Sequence, residues 1–379
     1  MNVIWFSEIK WSYLKTRKQH VIEHFPTDWR VLFIETYVRG KQNRFLPKRD
    51  GRVTAVTVPF MKSTPLPWLN RVLESVFFRW TFNALATLWL VVLFRILGFH
   101  GRDRVLFTSN IYFADLLRFF RRRLLIYDCN DYPPGFPGAL RTAPSYFRKT
   151  VERADLVITV SDELRRDVEA LGQANAVVIG NGVDFELFAN DDRGIIPDEL
   201  AGVPPPVVMY VGVFSDWFDF DLVARVAREC SHASVVLVGP AISDKARSGL
   251  AELSRLSNVR PVGAQPHAKL PAFIRCASVC MIPFLKNDLI RRFSPNKLYE
   301  YLAAGKPVVT LDYTKEIVEL NPIVSVAQNA DEFVEMIWRG IDHPHDTGVL
   351  RQAARARSWQ AISREIADRV LQLLDQRDE

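Results

Sequence analysis

The sequence predicts an α/β protein built from two Rossmann-like, doubly wound domains facing a central cleft. Three observations lead there. The 379-residue chain is long enough for two domains of ordinary size. Its apolar runs are short, continuous and rich in Val, Ile and Leu, which is the pattern of parallel strands covered on both faces. Those runs alternate with helical stretches, stop at a polar segment, and then start again. With 48% hydrophobic and 24% charged residues, the chain is globular rather than disordered.

The first half supplies strands over 2–7 (NVIWFS), 30–36 (RVLFIET), 53–60 (VTAVTVPF), 104–110 (RVLFTSN), 124–129 (LLIYDC), 154–161 (ADLVITVS) and 176–182 (AVVIGNG). A helix over 162–171 opens on Ser161 and Asp162, a capping pair. Residues 190–206 (NDDRGIIPDELAGVPPP) are polar and rich in Pro and Gly, and read as a linker. Strands follow over 207–214, 234–240, 258–264, 278–284 and 307–312, with helices over 219–231, 267–277 and from 294, and an amphipathic tail helix over 358–374. The expected organisation is an N-terminal domain over 1–190, a linker over 191–206, a C-terminal domain over 207–357 and a final helix over 358–379.

Charge separates the halves. Residues 1–150 hold 24 Lys and Arg against 10 Asp and Glu, an excess of +14 in a chain whose net charge is +6, so the remainder carries −8. Such asymmetry predicts an anionic partner for the first half. The segment 66–99 (LPWLNRVLESVFFRWTFNALATLWLVVLFRILGF) points to a membrane surface. It is dense in Trp, Phe and Leu and is interrupted by Arg71, Arg79 and Arg95, leaving an uncharged stretch from Trp80 to Phe94. A spanning helix needs about 20 apolar residues. The stretch is shorter, so it suits an interfacial helix pair, with Trp80, Trp89 and Phe94 inserted and the arginines reaching lipid phosphates. A buried core hairpin is the other reading. No RNA- or DNA-reading motif stands in the basic half, so nucleic acid is not an expected partner. Cys276 and Cys280 stand in a C-x3-C spacing, but no second ligand pair lies near them, so these two, with Cys129 and Cys230, read as reduced core residues. The start MNVIWFSEIK has no secretory pattern, which predicts a cytoplasmic chain.

Ligands of open α/β sheets sit beyond the carboxyl ends of the strands. In the second half those ends gather Gly212, Gly239, Gly263 and the helix opening Ser294-Pro295-Asn296. Glycines there let a ligand approach the backbone closely, although any one of them is equally an ordinary turn residue. No complete G-x-G-x-x-G accompanies them, which argues against a dinucleotide enzyme. Pro295 is expected at the first helical position, where a missing N–H costs nothing. The free N–H groups of a helix start attract phosphate. Lys297, a cation in the first turn, opposes the helix dipole unless an anion lies between them. Glu300 shares its face at i, i+3. The pair reads as a cation for phosphate and a carboxylate for ribose hydroxyls; a surface ion pair has the same spacing. The D-x-D at 219–221 opens a helix, where Asp is a good cap, and is not read as a metal site.

In the first half, Asp128 and Asp131 stand at the end of LLIYDC, followed by the Pro/Gly loop NDYPPGFPG with Tyr132. A hydroxyl attacking an anomeric carbon with inversion needs a base beside it, a role open to either aspartate, whereas a retaining reaction needs none.

The segment SPNKLYEYLAAGKPVV resembles the donor-binding motif of GT-B glycosyltransferases, and most of all the family 4-type bacterial polysaccharide enzymes. The resemblance runs over nearly the whole chain, through KTRKQHVIEHF (15–25), YDCNDYPPGFPG (127–138), ADLVITVSDELRRDV (154–168), VIGNGVDFELF (178–188), YVGVFSDWFDFDLV (210–223) and VGAQPHAKLPAFI (262–274) in their usual order. It implies transfer of a sugar from a nucleotide-sugar donor, a UDP-sugar being the expected one, to a saccharide. For polysaccharide pathways it implies a lipid-diphosphate-linked acceptor at the anionic inner face of the membrane. It implies no metal and no cofactor beyond the nucleotide-sugar co-substrate, and a final helix that crosses back to the N-terminal domain. It assigns Lys297 to the diphosphate, Glu300 to the ribose, and Arg17 with the N-terminal segment to the acceptor side. The chain departs from the pattern where Arg292 stands in place of a second glutamate, and where GVFSDWFDFD lacks the usual Arg and Lys. Arg292 or Arg291 would then help Lys297. There is also likeness to xanthan-type glucuronosyltransferases, in which an Asp at the position of Asp131 ends a strand-and-Tyr motif. A nucleotide-sugar 2-epimerase of the same fold and a non-catalytic nucleotide-sugar-binding scaffold are the competing functions.

Overall fold

A computed structural model describes residues 1–13, 15–38, 43–58, 75–101, 103–136, 139–190 and 196–378. The chain divides into two compact units, Met1–Gly180 with Ser363–Glu379, and Asn181–Ile362. The division comes at Gly180 rather than in the polar segment from 190, of which residues 191–195 lie outside the described ones. The reason is local. Asn181 already belongs to the second unit, donating its backbone N–H to Ser294 Oγ at 3.0 Å and its side-chain amide to Ser294 O at 2.8 Å.

The first unit is an eight-stranded sheet of β1 (Asn2–Ser7), β2 (Arg30–Thr36), β3 (Lys48–Asp50), β4 (Val53–Val58), β5 (Arg104–Thr108), β6 (Leu124–Cys129), β7 (Leu156–Thr159) and β8 (Ala176–Val178). The order is β3-β4-β2-β1-β5-β6-β7-β8, parallel throughout except for β3 against β4. The central strands are buried along their length, as their unbroken apolar runs require; Ile4 lies opposite Leu32 on one side and Leu106 on the other. The small strand β3 (KRD) is exposed and polar, so it carries no apolar signal to read. Its helices are α1 (Arg17–Glu23), α2 (Val76–Ile96), α3 (Ala114–Leu117), α4 (Ala143–Arg153) and α5 (Asp162–Glu169), the last capped by Ser161, which accepts from Leu164 N at 3.3 Å.

The second unit repeats the design with β9 (Val207–Val211), β10 (Ser234–Val238), β11 (Val259–Val262), β12 (Val279–Ile282), β13 (Val308–Leu311) and β14 (Ser325–Ala327). Their order is β11-β10-β9-β12-β13-β14, all parallel. Its helices are α6 (Phe185–Ala189), α7 (Phe220–Glu229), α8 (Asp244–Leu253), α9 (Leu270–Arg275), α10 (Asn296–Ala303), α11 (Lys315–Glu319), α12 (Ala330–Asp342) and α13 (Thr347–Ala356). Asp219 caps α7, accepting from Leu222 N at 2.9 Å. In both sheets the winding reverses next to the strand that begins the unit, between β1 and β5 and between β9 and β12. These reversals are where open α/β sheets bind ligands.

The last helix, α14 (Trp359–Asp378), starts in the second unit and from Ser363 belongs to the first. There Ser363 Oγ donates to Val21 O at 2.7 Å, Arg377 pairs with Asp155, and Arg123 pairs with Asp378. One arginine of the 121–123 triplet is therefore paired inside the unit and a second is half-buried. Arg123 holds α14, and burial lowers the pKa of Arg122, leaving Arg121 as the exposed member. The cysteines are free thiols. Burial pushes all four up, so they remain protonated.

Candidate active site

In the second unit the strand ends and the start of α10 meet. Gly212 follows β9 with φ +155°, and a Cβ there would lie 1.9 Å from Lys297 Cε. Gly239 follows β10 with φ +143°, and a Cβ there would lie 1.9 Å from Gly212 O. A side chain would be strained at either position; Gly212 brings bare backbone against the lysine, and Gly239 packs against the backbone of Gly212. Gly263 has open space around it. Helix α10 begins one residue later than expected. Pro295 is its N-cap, in extended conformation at φ −80° and ψ 111°, and Asn296 is its first residue. A proline before the helix wastes no N–H, and among the described residues no side chain caps the N–H groups that follow.

Lys297 is half-buried, its ammonium 5.7 Å from the Tyr210 ring and 5.5 Å from the Phe284 ring. Burial lowers its pKa, and the Glu300 carboxylate partly offsets that. Among the described residues no carboxylate pairs with it. Two aromatic faces replace only part of its lost hydration, so it is a cation held in position without an anion. Glu300 lies one turn on, with His267 Nε2 at 3.7 Å. His267, whose ring meets Phe188 edge-on at 5.5 Å, escaped the sequence reading because a lone His before a short helix has no distinguishing pattern. Ser294 Oγ accepts from Asn181 N at 3.0 Å, and Arg292 donates to Asp288 O.

In the first unit a cavity of about 180 Å³ opens at the β1/β5 reversal. Glu8 comes from the end of β1, Ser109 and Asn110 from the end of β5, Asn130 and Asp131 from the end of β6, and Pro133 and Phe136 from the loop beyond. Asp131 accepts from Asn130 Nδ2 at 3.1 Å. Burial, with the nearby Glu8 and Asp128 carboxylates, pushes its pKa up to about 7, and Lys18 opposes the rise. Such a carboxyl exchanges a proton near neutrality, which suits a general base. Glu8 and Asn110 were missed. The strand-end rule that selected Asp131 points to them equally, but their flanking residues form no motif.

Three expectations change here. Asp128 does not line the cavity; it is fully buried and paired with Arg17 Nε at 2.9 Å. Arg17 is not on an acceptor-facing or membrane-facing surface. It is 3% exposed and also donates to Gly180 O at 2.7 Å. Tyr132 packs edge-on against Phe147 at 5.4 Å rather than into the cavity wall.

The aromatic segment is one helix over its described part, with residues 66–74, including Arg71, outside the described ones. Helix α2 is apolar on both faces. Ala86, Leu90, Leu93 and Phe94 enter the core beside Ile4, Phe6 and Phe120. Phe94 is 1% exposed, so it is not available for membrane insertion, while Trp89 is half-buried and packs partly against the same core. Phe77, Trp80, Leu85, Leu88, Val92 and Ile96 face outward, with Trp80 63% and Ile96 75% exposed. Nearby in the chain, Arg118 stacks on the exposed Phe119 at 4.6 Å. Among the described residues no helix is long and apolar enough to cross a membrane.

Comparison with known proteins agrees with this architecture. Residues 205–343 match the family model described as Glycosyl transferases group 1, a span lying inside the second unit. Over 272 residues the chain is 26% identical to TuaH of Bacillus subtilis (strain 168), a protein named for a glycosyltransferase role in teichuronic acid biosynthesis. That match covers 64% of this chain and 65% of TuaH, just under two thirds of its length. Among solved structures, sucrose-phosphate synthase (tll1590) of Thermosynechococcus elongatus matches with a TM-score of 0.75 at 16% identity, over 99% of this chain and 100% of that one. Alr3699/HepE of Anabaena, solved in complex with UDP, matches with a TM-score of 0.66 at 16% identity, over 98% and 100% of the two chains. The trehalose-phosphate synthase of Burkholderia xenovorans, in complex with glucose-6-phosphate, gives 0.70 at 16% identity over 98% and 100%. At these identities the shared property is the fold, and the fold is GT-B.

Proposed function

We propose that this glycosyltransferase of GT-B type moves a sugar from a UDP-sugar to a hydroxyl of a lipid-linked saccharide at the cytoplasmic face of a membrane, in the synthesis of a cell-surface polysaccharide. The observation that carries this reading is Lys297: a half-buried cation without a carboxylate partner among the described residues, at the uncapped start of α10 and against the bare backbone of Gly212. A diphosphate supplies the missing charge. It accepts from the lysine and from the first N–H groups of the helix, and Glu300 takes the ribose hydroxyls. As the glycosidic bond breaks, negative charge builds on the leaving diphosphate, and these same donors stabilise it. No metal is called for in this arrangement. Asp131 takes the proton of the attacking hydroxyl as that oxygen bonds to the anomeric carbon opposite the departing diphosphate, so the configuration inverts.

The UDP complex of Alr3699/HepE supports uridine as the base, and the name of TuaH supports a polysaccharide acceptor. The outward apolar face of α2 and the basic excess of residues 1–150 support a peripheral membrane position. A calorimetric panel of UDP, GDP and ADP with the corresponding sugar nucleotides tests the reading. UDP should bind, and the UDP-sugar should be hydrolysed slowly without an acceptor. Binding without any turnover would leave a nucleotide-sugar scaffold in place of an enzyme, and no binding by any of the three would overturn the donor site.

A further inference from the structure

The acceptor cavity of the first unit carries more than a base. Glu8 and Asp131 both line it, and no Lys, Arg or His stands among its described lining residues. Lys18 is 2% exposed and ion-paired with Glu8, while Arg17 is paired with Asp128. Glu8 is held from both sides, because Ser109 Oγ also donates to its Oε2 at 2.8 Å. Asn110 adds a second kind of group. It is 2% exposed, its Oδ1 accepts from Tyr112 N at 3.0 Å, and its Nδ2 has no partner among the described residues. Asn110 lines the cavity and keeps a buried amide donor that an incoming acceptor, ligand or water, would satisfy.

We propose that this cavity reads an electroneutral sugar, with Glu8 and Asn110 as the reading pair, and rejects anionic sugars such as uronates and sugar phosphates. The proposal rests on the acceptor role given to the cavity above, and names its substrate class. A sugar hydroxyl both donates and accepts, so it can give its hydrogen to Glu8 and take one from Asn110. A carboxylate or phosphate can only accept. It could use Asn110, but it would meet the Glu8 and Asp131 carboxylates with no Lys, Arg or His among the described lining residues to offset them. Pro133, Phe136 and Ile111 offer apolar wall for the C–H face of a ring. The volume of about 180 Å³ corresponds to about six waters, room for one sugar ring. The repulsion depends on pH through Asp131, which faces Glu8 on the loop after β1, Lys18 on α1, and Tyr127, Asp128 and Cys129 on β6. Its pKa of about 7 makes rejection strongest above neutrality.

Saturation-transfer NMR on the full chain tests this with defined probes. The neutral set is the methyl glycosides of glucose, galactose, mannose and N-acetylglucosamine; the anionic set is methyl glucuronide and glucose 6-phosphate. At pH 8 at least one neutral glycoside should bind, with each anion at least tenfold weaker. The gap should narrow at pH 6, a comparison that needs no variant. Glu8→Gln keeps the shape of the side chain and should narrow the gap at pH 8 at least threefold. An anion that binds wild type as tightly as the best neutral glycoside overturns the proposal. So does failure of every neutral glycoside to bind, or a gap indifferent to both pH and Glu8→Gln. If the gap behaves as expected but UDP-sugar is never transferred to the bound glycoside, the charge rule stands and the acceptor role is what fails.

Discussion

Replacing Asp131 by Asn removes one proton acceptor and leaves the shape of the cavity wall. Burial and the neighbouring Glu8 and Asp128 raise this carboxyl from 3.8 to about 7. The base form is then about a tenth of the population at pH 6 and about nine tenths at pH 8, so wild-type transfer at saturating donor should climb close to tenfold across that range. The variant should lose about 10²- to 10⁴-fold at pH 8 and show no such climb. Stability should move the other way. The folded chain holds this proton more tightly than the unfolded chain, so the stability it contributes is fully present below 3.8 and is lost as pH rises through about 7. A rise of that size places an upper bound of about 4 kcal/mol on the loss at pH 8. Asparagine has no proton to lose, so the variant should be the more stable protein at pH 8, with the advantage fading towards pH 4. Urea titrations at the two pH values, beside product formation from pH 5.5 to 8.5, measure both signs. A variant that keeps more than a tenth of wild-type transfer with the same pH profile refutes the assignment of Asp131 as the base.

Glu300→Gln should weaken UDP binding while leaving inorganic diphosphate unchanged, because only UDP carries a ribose; equal losses in calorimetry would remove the ribose role. Gly212→Ala places a Cβ 1.9 Å from Lys297 Cε in a backbone conformation unsuited to alanine, so UDP affinity should fall at least tenfold and stability by about 1–3 kcal/mol. Vesicles with anionic lipid should bind the protein in two ways, one screened by salt and one not. Replacing the exposed Trp80, Leu88 and Ile96 with Ser should abolish the salt-resistant part in co-sedimentation without unfolding the chain. Phe94→Ala, deep in the core, should instead cost about 3–5 kcal/mol of stability.

The strands of both sheets were legible because parallel strands buried on two faces leave unbroken apolar runs, as NVIWFS and LLIYDC do. Strand β3 was not, since KRD lies exposed at an edge and spends no apolar residue. The start of α10 was legible to within one residue; Pro295 fits both the cap and the first turn, and only its backbone angles decide. Composition could not divide α2 into its faces. Phe94 and Trp80 look alike in a sequence of aromatic residues, and the helix turns one into the core and the other to solvent. The same limit hid the partner of Asp128, because Arg17 is 111 residues away and arrives through the fold of the sheet. Glu8 was passed over because one glutamate after a strand is common; it becomes a site residue when β5 and β6 bring Asn110 and Asp131 to the same cavity.

The central claim is that the start of α10 holds the diphosphate of a sugar nucleotide through Lys297. Calorimetry of UDP with wild type and Lys297→Met tests it most directly. A charge-assisted hydrogen bond is worth about 1.5–3 kcal/mol, so the variant should bind UDP about ten- to a hundredfold more weakly. Burial already disfavours this ammonium in the free protein, so Lys297→Met should be at least as stable as wild type without ligand. Weaker UDP binding in an equally or more stable protein is the predicted result. UDP binding equal to wild type, in a folded Lys297→Met variant, would contradict the account.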